Sequence, residues 1–338
     1  MTGLSLALSE ITLVVFTTLA PSGAVALAVL CALIAAGRDG AAGNRARFAK
    51  VLWVPIVVTM VGLVASATHL GNPSNALYVL TGIGRSPLST EVGAAVTLLA
   101  VSGSFWLYGF SEHPRRGLQR AWAGAIVVLA AVFVTTIALA YATHTIPSWD
   151  TPFVPATLWC GALTGGPILA LAVLRLAEAS CDEPSAPDLT TARGNTPNLG
   201  QRPMKTAPND TRPAGQAASA PRARRGHLPT ALLTLASVAA LAGLALGIAQ
   251  GLALPGLRSS LTSAGKLVPH YWWMLAAAAI LQLAGLFLAW RTVRPPRTAG
   301  PRRAPHPAVP LFGATALILA GLFITRFAFY MMHLTSGL

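Results

Sequence analysis

Cysteine is scarce: Cys31, Cys160 and Cys181 stand far apart in 338 residues. Disulfide frameworks, zinc sites and iron–sulfur clusters need paired or clustered thiols, so all three are excluded, and any redox centre in a complex belongs to a partner. Charge is scarce too, at 10% of residues against about 25% in ordinary soluble domains. Acids are the rarest part, with ten Asp and Glu against 24 Lys and Arg. The resulting net charge of +14 does not signal nucleic acid, because the basic residues lie in short segments between apolar blocks, without aromatic or glycine-rich RNA-binding patterns. Basic residues are missing ahead of the first apolar run. That segment therefore reads as an uncleaved membrane helix, although Ala24-Val25-Ala26 loosely resembles a cleavage site.

Apolar residues fill the space that charge leaves, at 54% of the chain with a mean hydropathy of +0.61. Runs near the ~20 residues needed to cross a ~30 Å hydrocarbon core occur at about 9–36, 51–70, 91–110, 121–142, 153–175, 229–251, 271–290 and 307–334. The expected fold class is therefore all-α: a polytopic integral membrane bundle of eight transmembrane helices.

Alternate connections hold 20 of the 24 basic residues. The positive-inside rule then makes those connections cytoplasmic and puts both termini outside, in a multi-pass protein of the cytoplasmic membrane. The fifth connection, 178–227, is rich in Pro, Ala, Gly, Ser, Thr and Arg without apolar periodicity, as expected of a disordered cytoplasmic loop. It divides the sequence into a five-helix half, 1–177, and a three-helix half, 228–338. No internal repeat of fixed period is visible, and five helices against three do not supply the matched halves of an inverted-repeat transporter.

Ionisable groups collect at the ends of spans that face outward. The stretch HLGNPSNALYVLTGIGRSPLSTE, residues 69–91, places His69 in the last turn of span 2, before Gly71 and Pro73, which stop the helix. Glu91 falls in the first turn of span 3, behind capping serines that include Ser89. Each can be a helix-end charge worth about 0.3–1 kcal/mol. Alternatively, ionisable groups at membrane depth handle protons or substrate. An imidazole and a desolvated carboxyl can each take one proton near neutrality, which suits a hydroquinone that must lose two.

Two further segments reach the same level. Thr145-Ile146-Pro147-Ser148-Trp149-Asp150-Thr151-Pro152 carries an interfacial tryptophan, Trp149, between stiffening prolines. Span 8 ends RFAFYMMHLTSGL, in which Arg326, Tyr330 and His333 are spaced as one helical stripe. Arg326 would lie about 12 Å inside Leu334, as a snorkelling or ion-paired residue or as part of a site.

The order S-A-T-H-L-G-N-P, G-R-S-P-L-S-T-E, T-I-P-S-W-D-T-P with G-G-P at 165–167, then R-F-A-F-Y-M-M-H-L-T-S-G resembles the membrane anchor subunit of the dimethyl sulfoxide reductase family, the DmsC type. The resemblance covers nearly all spans in order, and the long fifth loop is an insertion relative to it. It implies an eight-helix protein with no haem of its own, no iron–sulfur cluster in this chain and no metal site. Such a protein oxidises menaquinol in anaerobic respiration and anchors a molybdopterin catalytic subunit through a four-cluster iron–sulfur subunit. On the matching motifs, His69 and Glu91 fall at the quinol site as proton acceptors, and Gly71 and Pro73 in the turn that shapes it. Asn75 stands where the family usually has an arginine; Arg85 is expected to supply that charge. Ser89, Trp149, Arg326, Tyr330 and His333 complete the expected surroundings of the quinol.

Two other classes compete. A haem b quinol cytochrome needs histidines on facing helices, and only His69 and His333 of seven histidines fall within the spans. A secondary transporter would use the Gly/Pro-broken segments to line a path.

Overall fold

The computed structural model describes residues 3–37, 49–68, 79, 81–179, 227–257, 263–294 and 308–333. His69, Gly71, Pro73 and Asn75 lie outside these, as does the predicted loop from 180 to 226.

The described residues are helical: α1 Gly3–Ser9, α2 Ile11–Ala35, α3 Trp53–Thr68, α4 Pro87–Tyr108, α5 Arg116–Tyr141, α6 Phe153–Ala179, α7 His227–Ala253, α8 Ala264–Leu267, α9 Tyr271–Val293 and α10 Ala308–Met331. Seven of them are long and apolar enough to cross a membrane. The apolar helix α3 has 16 residues, about 24 Å of length, short of a full crossing. The helix positions follow the hydropathy runs because an apolar segment in lipid must satisfy every backbone group internally. Large apolar side chains such as Val128, Leu139, Val238, Leu252 and Ile280 are exposed on the outside of the bundle, where acyl chains rather than water surround them.

Helix α2 is the hub, packed against α3, α5, α6 and α10. Small residues let backbones approach without a hydrophobic drive between helices in lipid. A Cβ on Gly23 would lie 2.8 Å from the Thr59 nitrogen of α3, and one on Gly166 of α6 would lie 2.6 Å from the Val25 side chain. The hydroxyls of Thr17, Thr18 and Ser22 donate to carbonyls one turn back on α2 itself, those of Leu13, Val14 and Thr18.

In the C-terminal half, α9 and α10 interlock through reciprocal glycines. A Cβ on Gly285 would lie 2.7 Å from the Ala314 carbonyl oxygen, and one on Gly321 would lie 2.7 Å from that of Ala278. Gly321→Val should therefore force the pair apart and cost about 1–3 kcal/mol. The thermal midpoint in detergent reads this, and an unchanged midpoint would show that the two backbones do not touch.

The two ends of the bundle differ. At one end are basic groups tied to neighbouring helices: Arg120 donates to the Ala35 carbonyl at 3.1 Å, and Lys50 lies 5.3 Å from the centre of the Phe110 ring. At the other end an apolar cluster joins Ala7, Val14, Trp149, Val154, Leu254, Val268, Tyr271 and Tyr330, drawn from both halves of the sequence.

Candidate functional site

That second end holds the acids and aromatics. Helix α4 begins at Pro87, behind Ser86 in extended conformation; proline suits a first helical position, where its missing N–H costs nothing. The turn before it reverses at Gly84, with φ of 81°, and the Gly84 N–H donates to the Thr90 hydroxyl at 3.0 Å. This hairpin leaves Arg85 exposed while Ser89 and Glu91 turn inward. Glu91 is 2% exposed, and its Oε2 has no hydrogen-bond partner among the described residues. A helix-end carboxylate resting in water would look different: this one is inside the bundle.

Its neighbours come from two other helices. The hydroxyls of Tyr141, the last residue of α5, and Tyr330, near the end of α10, lie within electrostatic reach of Glu91. The two tyrosine rings meet edge to face, with centroids 5.9 Å apart. Tyr330 is fully buried; its hydroxyl faces Tyr141 and Thr17 yet makes no hydrogen bond of ordinary geometry. Thr17 cannot help as a donor, since its hydroxyl is committed to the Leu13 carbonyl at 2.8 Å. Buried polar groups without partners are rare and costly, so two within one cluster mark a place where a ligand can supply hydrogen bonds.

The loop between α5 and α6 roofs the cluster. Successive turns around Pro147 bring the Trp149 N–H to the Ile146 carbonyl at 2.8 Å, and the Ser148 hydroxyl donates to the Met332 carbonyl at 2.6 Å. Trp149 is thereby buried within the protein, stacked on Phe329 at 4.8 Å and on His333 at 4.9 Å. Its indole N–H is a third buried group with no partner among the described residues.

The stripe expected on span 8 is only partly helical. Helix α10 ends at Met331, so His333 sits in the following turn, where its N–H donates to the Tyr330 carbonyl at 3.3 Å. Burial lowers the pKa of the His333 imidazole, with Glu10 opposing that shift. The folded state thus binds fewer protons here than the unfolded polypeptide, and this group's contribution to stability falls as pH drops through the unfolded histidine range. Thermal midpoints measured from pH 7.5 to 5.5 should decline less steeply in His333→Phe than in the unaltered protein. Equal slopes would show that the imidazole is freely solvated.

Arg326 is 6% exposed. Its guanidinium interacts with Tyr330, Cys160 and Tyr141, and it has no hydrogen bond or ion pair among the described residues. It lines a cavity of about 370 Å³ between α6, α7, α9 and α10, whose lining includes none of Glu91, Tyr141, Trp149 and Tyr330.

Tyr141, Thr17 and Glu10 were not singled out in the sequence. Tyr141 closes an apolar run, and Glu10 is one of only ten acids, within the first turn of the first apolar run at 9–36; both were visible signals. Among the described residues, no three His, Cys, Asp or Glu side chains group as a metal site.

A family model described as DMSO reductase anchor subunit (DmsC) matches residues 4–187. The protein is 29% identical over 297 residues to the anaerobic dimethyl sulfoxide reductase subunit YnfH of Escherichia coli, a match spanning 87% of this protein and 85% of that one. It is 26% identical over 289 residues to the C subunit of anaerobic dimethyl sulfoxide reductase from the same organism, spanning 85% and 81% of the two. Its likeness to the corresponding C subunit of Haemophilus influenzae is 24% over 332 residues, 98% and 97% of the two.

Proposed function

From the premise that this chain belongs to the DMSO reductase anchor subunit (DmsC) family of multi-pass membrane proteins, we propose that it oxidises menaquinol for a molybdopterin oxidoreductase complex. The partners are a four-cluster iron–sulfur subunit and the catalytic subunit that reduces the terminal acceptor. In this reading the protein has eight crossings, holds no haem of its own, and has both termini outside the cytoplasmic membrane.

One observation supports the site above the others: Glu91 is buried at the bundle end with Oε2 unpaired, within reach of two tyrosine hydroxyls. His69 follows directly on the last described residue of α3, Thr68, and is assigned to the site on the resemblance. Oxidation of a hydroquinone releases two protons and two electrons. His69 and Glu91 each accept one proton, Tyr330 and the Trp149 indole hold the head group, and Arg85 with Asn75 lines the entrance. The electrons pass to the nearest cluster of the iron–sulfur partner, which docks on this face.

The test is to purify the complex through a tag on this subunit. Co-purification of a molybdopterin subunit and a cysteine-rich iron–sulfur subunit, with menaquinol supporting acceptor reduction by the reconstituted complex, is the expected result. A purified protein that brings no such partners, or carries stoichiometric haem, would sink this reading.

A further inference from the structure

The cavity beside Arg326 has the composition of a ligand site rather than a packing fault. Its volume of about 370 Å³ falls in the range of small-molecule sites, which pair apolar walls with a few placed polar groups. The walls are mostly aliphatic and aromatic, and no Asp or Glu lines them. Leu241, Leu283, Phe287 and Trp290 line it and are also exposed on the lipid-facing surface, Leu241 by 61% and Phe287 by 57%. The cavity therefore opens sideways into the bilayer between α7 and α9.

The polar group at its inner wall is unbalanced. A guanidinium presents five N–H donors and no acceptor, and here it has neither a carboxylate nor a hydrogen-bond partner among the described residues. The hydroxyls of Thr157, Thr164 and Ser237 in the lining donate to carbonyls of their own helices, and none of them accepts a hydrogen bond from Arg326. Buried charge of this kind calls for a ligand that brings acceptors.

Depth narrows the choice. A Cβ on Gly161 would lie 3.7 Å from a terminal nitrogen of Arg326, and Gly161 is eight residues into α6 from Phe153, about 12 Å along the helix. A phosphate or carboxylate head group stays at the interface, whereas a neutral carbonyl-bearing ring can descend to that level. We propose that this cavity is a binding site for the oxidised, carbonyl form of a prenylated quinone, its ring oxygen accepting from Arg326 and its tail leaving between α7 and α9. The inference rests on the quinol-oxidising function proposed above and separates two roles. The carboxyl end at Glu91 offers acceptors to quinol hydroxyls, and the guanidinium cavity offers donors to the product.

A naphthoquinone carrying a short prenyl tail and a photoreactive group, applied to the purified complex, tests this by mapping of the labelled peptides. Label is expected on α7 and α9, within 240–250 and 271–286, and should weaken about tenfold to hundredfold in Arg326→Gln, the loss of one charge-assisted hydrogen bond. Should Arg326→Gln fail to assemble, Ala279→Phe, which fills the cavity from α9, is expected to abolish the same label. Unlabelled quinone should displace the label while equimolar oleate does not. Label confined to peptides containing Glu91 or Tyr141 would overturn the cavity assignment and leave the proposed function standing. Label at neither place would remove both. Equal displacement by oleate would reduce the cavity to a general groove for acyl chains and overturn the proposal.

Discussion

With glutamine in place of Glu91, menaquinol-driven turnover of the assembled complex should fall about 10²- to 10⁴-fold, the usual contribution of one positioned proton acceptor. Reduction of the acceptor by an artificial electron donor should be unchanged. The substitution keeps shape and volume but leaves a group that cannot take a proton. Because Glu91 is 2% exposed with no cation paired to it among the described residues, making the position neutral removes a desolvated acid rather than breaking an ion pair, so folding should not suffer. The thermal midpoint of Glu91→Gln is expected to equal or exceed that of the unaltered protein. His69→Ala should share the quinol defect. Normal menaquinol turnover by Glu91→Gln would make this carboxyl a structural detail and require another proton acceptor.

Trp149→Ala should be the most destabilising single change in the loop between α5 and α6, at about 3–5 kcal/mol, the cost of deleting a buried large aromatic. The indole is held on several sides. It stacks on Phe329 and His333 and meets the edges of Tyr141 and Tyr330 at 6.0 and 5.7 Å. Trp149→Phe separates packing from recognition. The indole N–H has no partner among the described residues, so a phenyl ring gives up little beyond the volume of one fused ring, and stability should fall far less than with alanine. If the N–H donates to a bound quinol, Trp149→Phe raises the KM for menaquinol while the artificial-donor activity holds. A variant with unchanged KM would assign Trp149 to the roof alone.

Helix positions were readable because membrane hydropathy is a one-dimensional signal. The run at 271–290 became Tyr271–Val293 and that at 121–142 became Arg116–Tyr141, with the differences confined to polar first and last turns. The short helix α3 was harder to read: the apolar run at 51–70 contains Gly62, Ser66 and Thr68, and length alone does not decide a crossing. At the site, Glu91 and Tyr330 stood out as polar residues in apolar surroundings. The burial of Trp149 was not legible, because it depends on the Ser148 hydroxyl reaching the Met332 carbonyl, 184 residues along the sequence. The cavity was invisible for a similar reason. Gln250, Gln282 and Arg326 are scattered through three spans, and only the packing of α6, α7, α9 and α10 brings them around one space.

Helix α2 is synthesised long before α10 yet packs against it. Between those moments Thr17, Thr18 and Ser22 wait in lipid, and they can do so because each of these three hydroxyls already bonds to its own helix. The nascent segment is therefore tolerable to the bilayer before its neighbours exist, and closure of this side of the bundle is postponed until α10 has been made. Any truncation that removes α10 would leave a bundle that is never sealed, exposing Tyr141 and the roof loop to quality-control proteolysis.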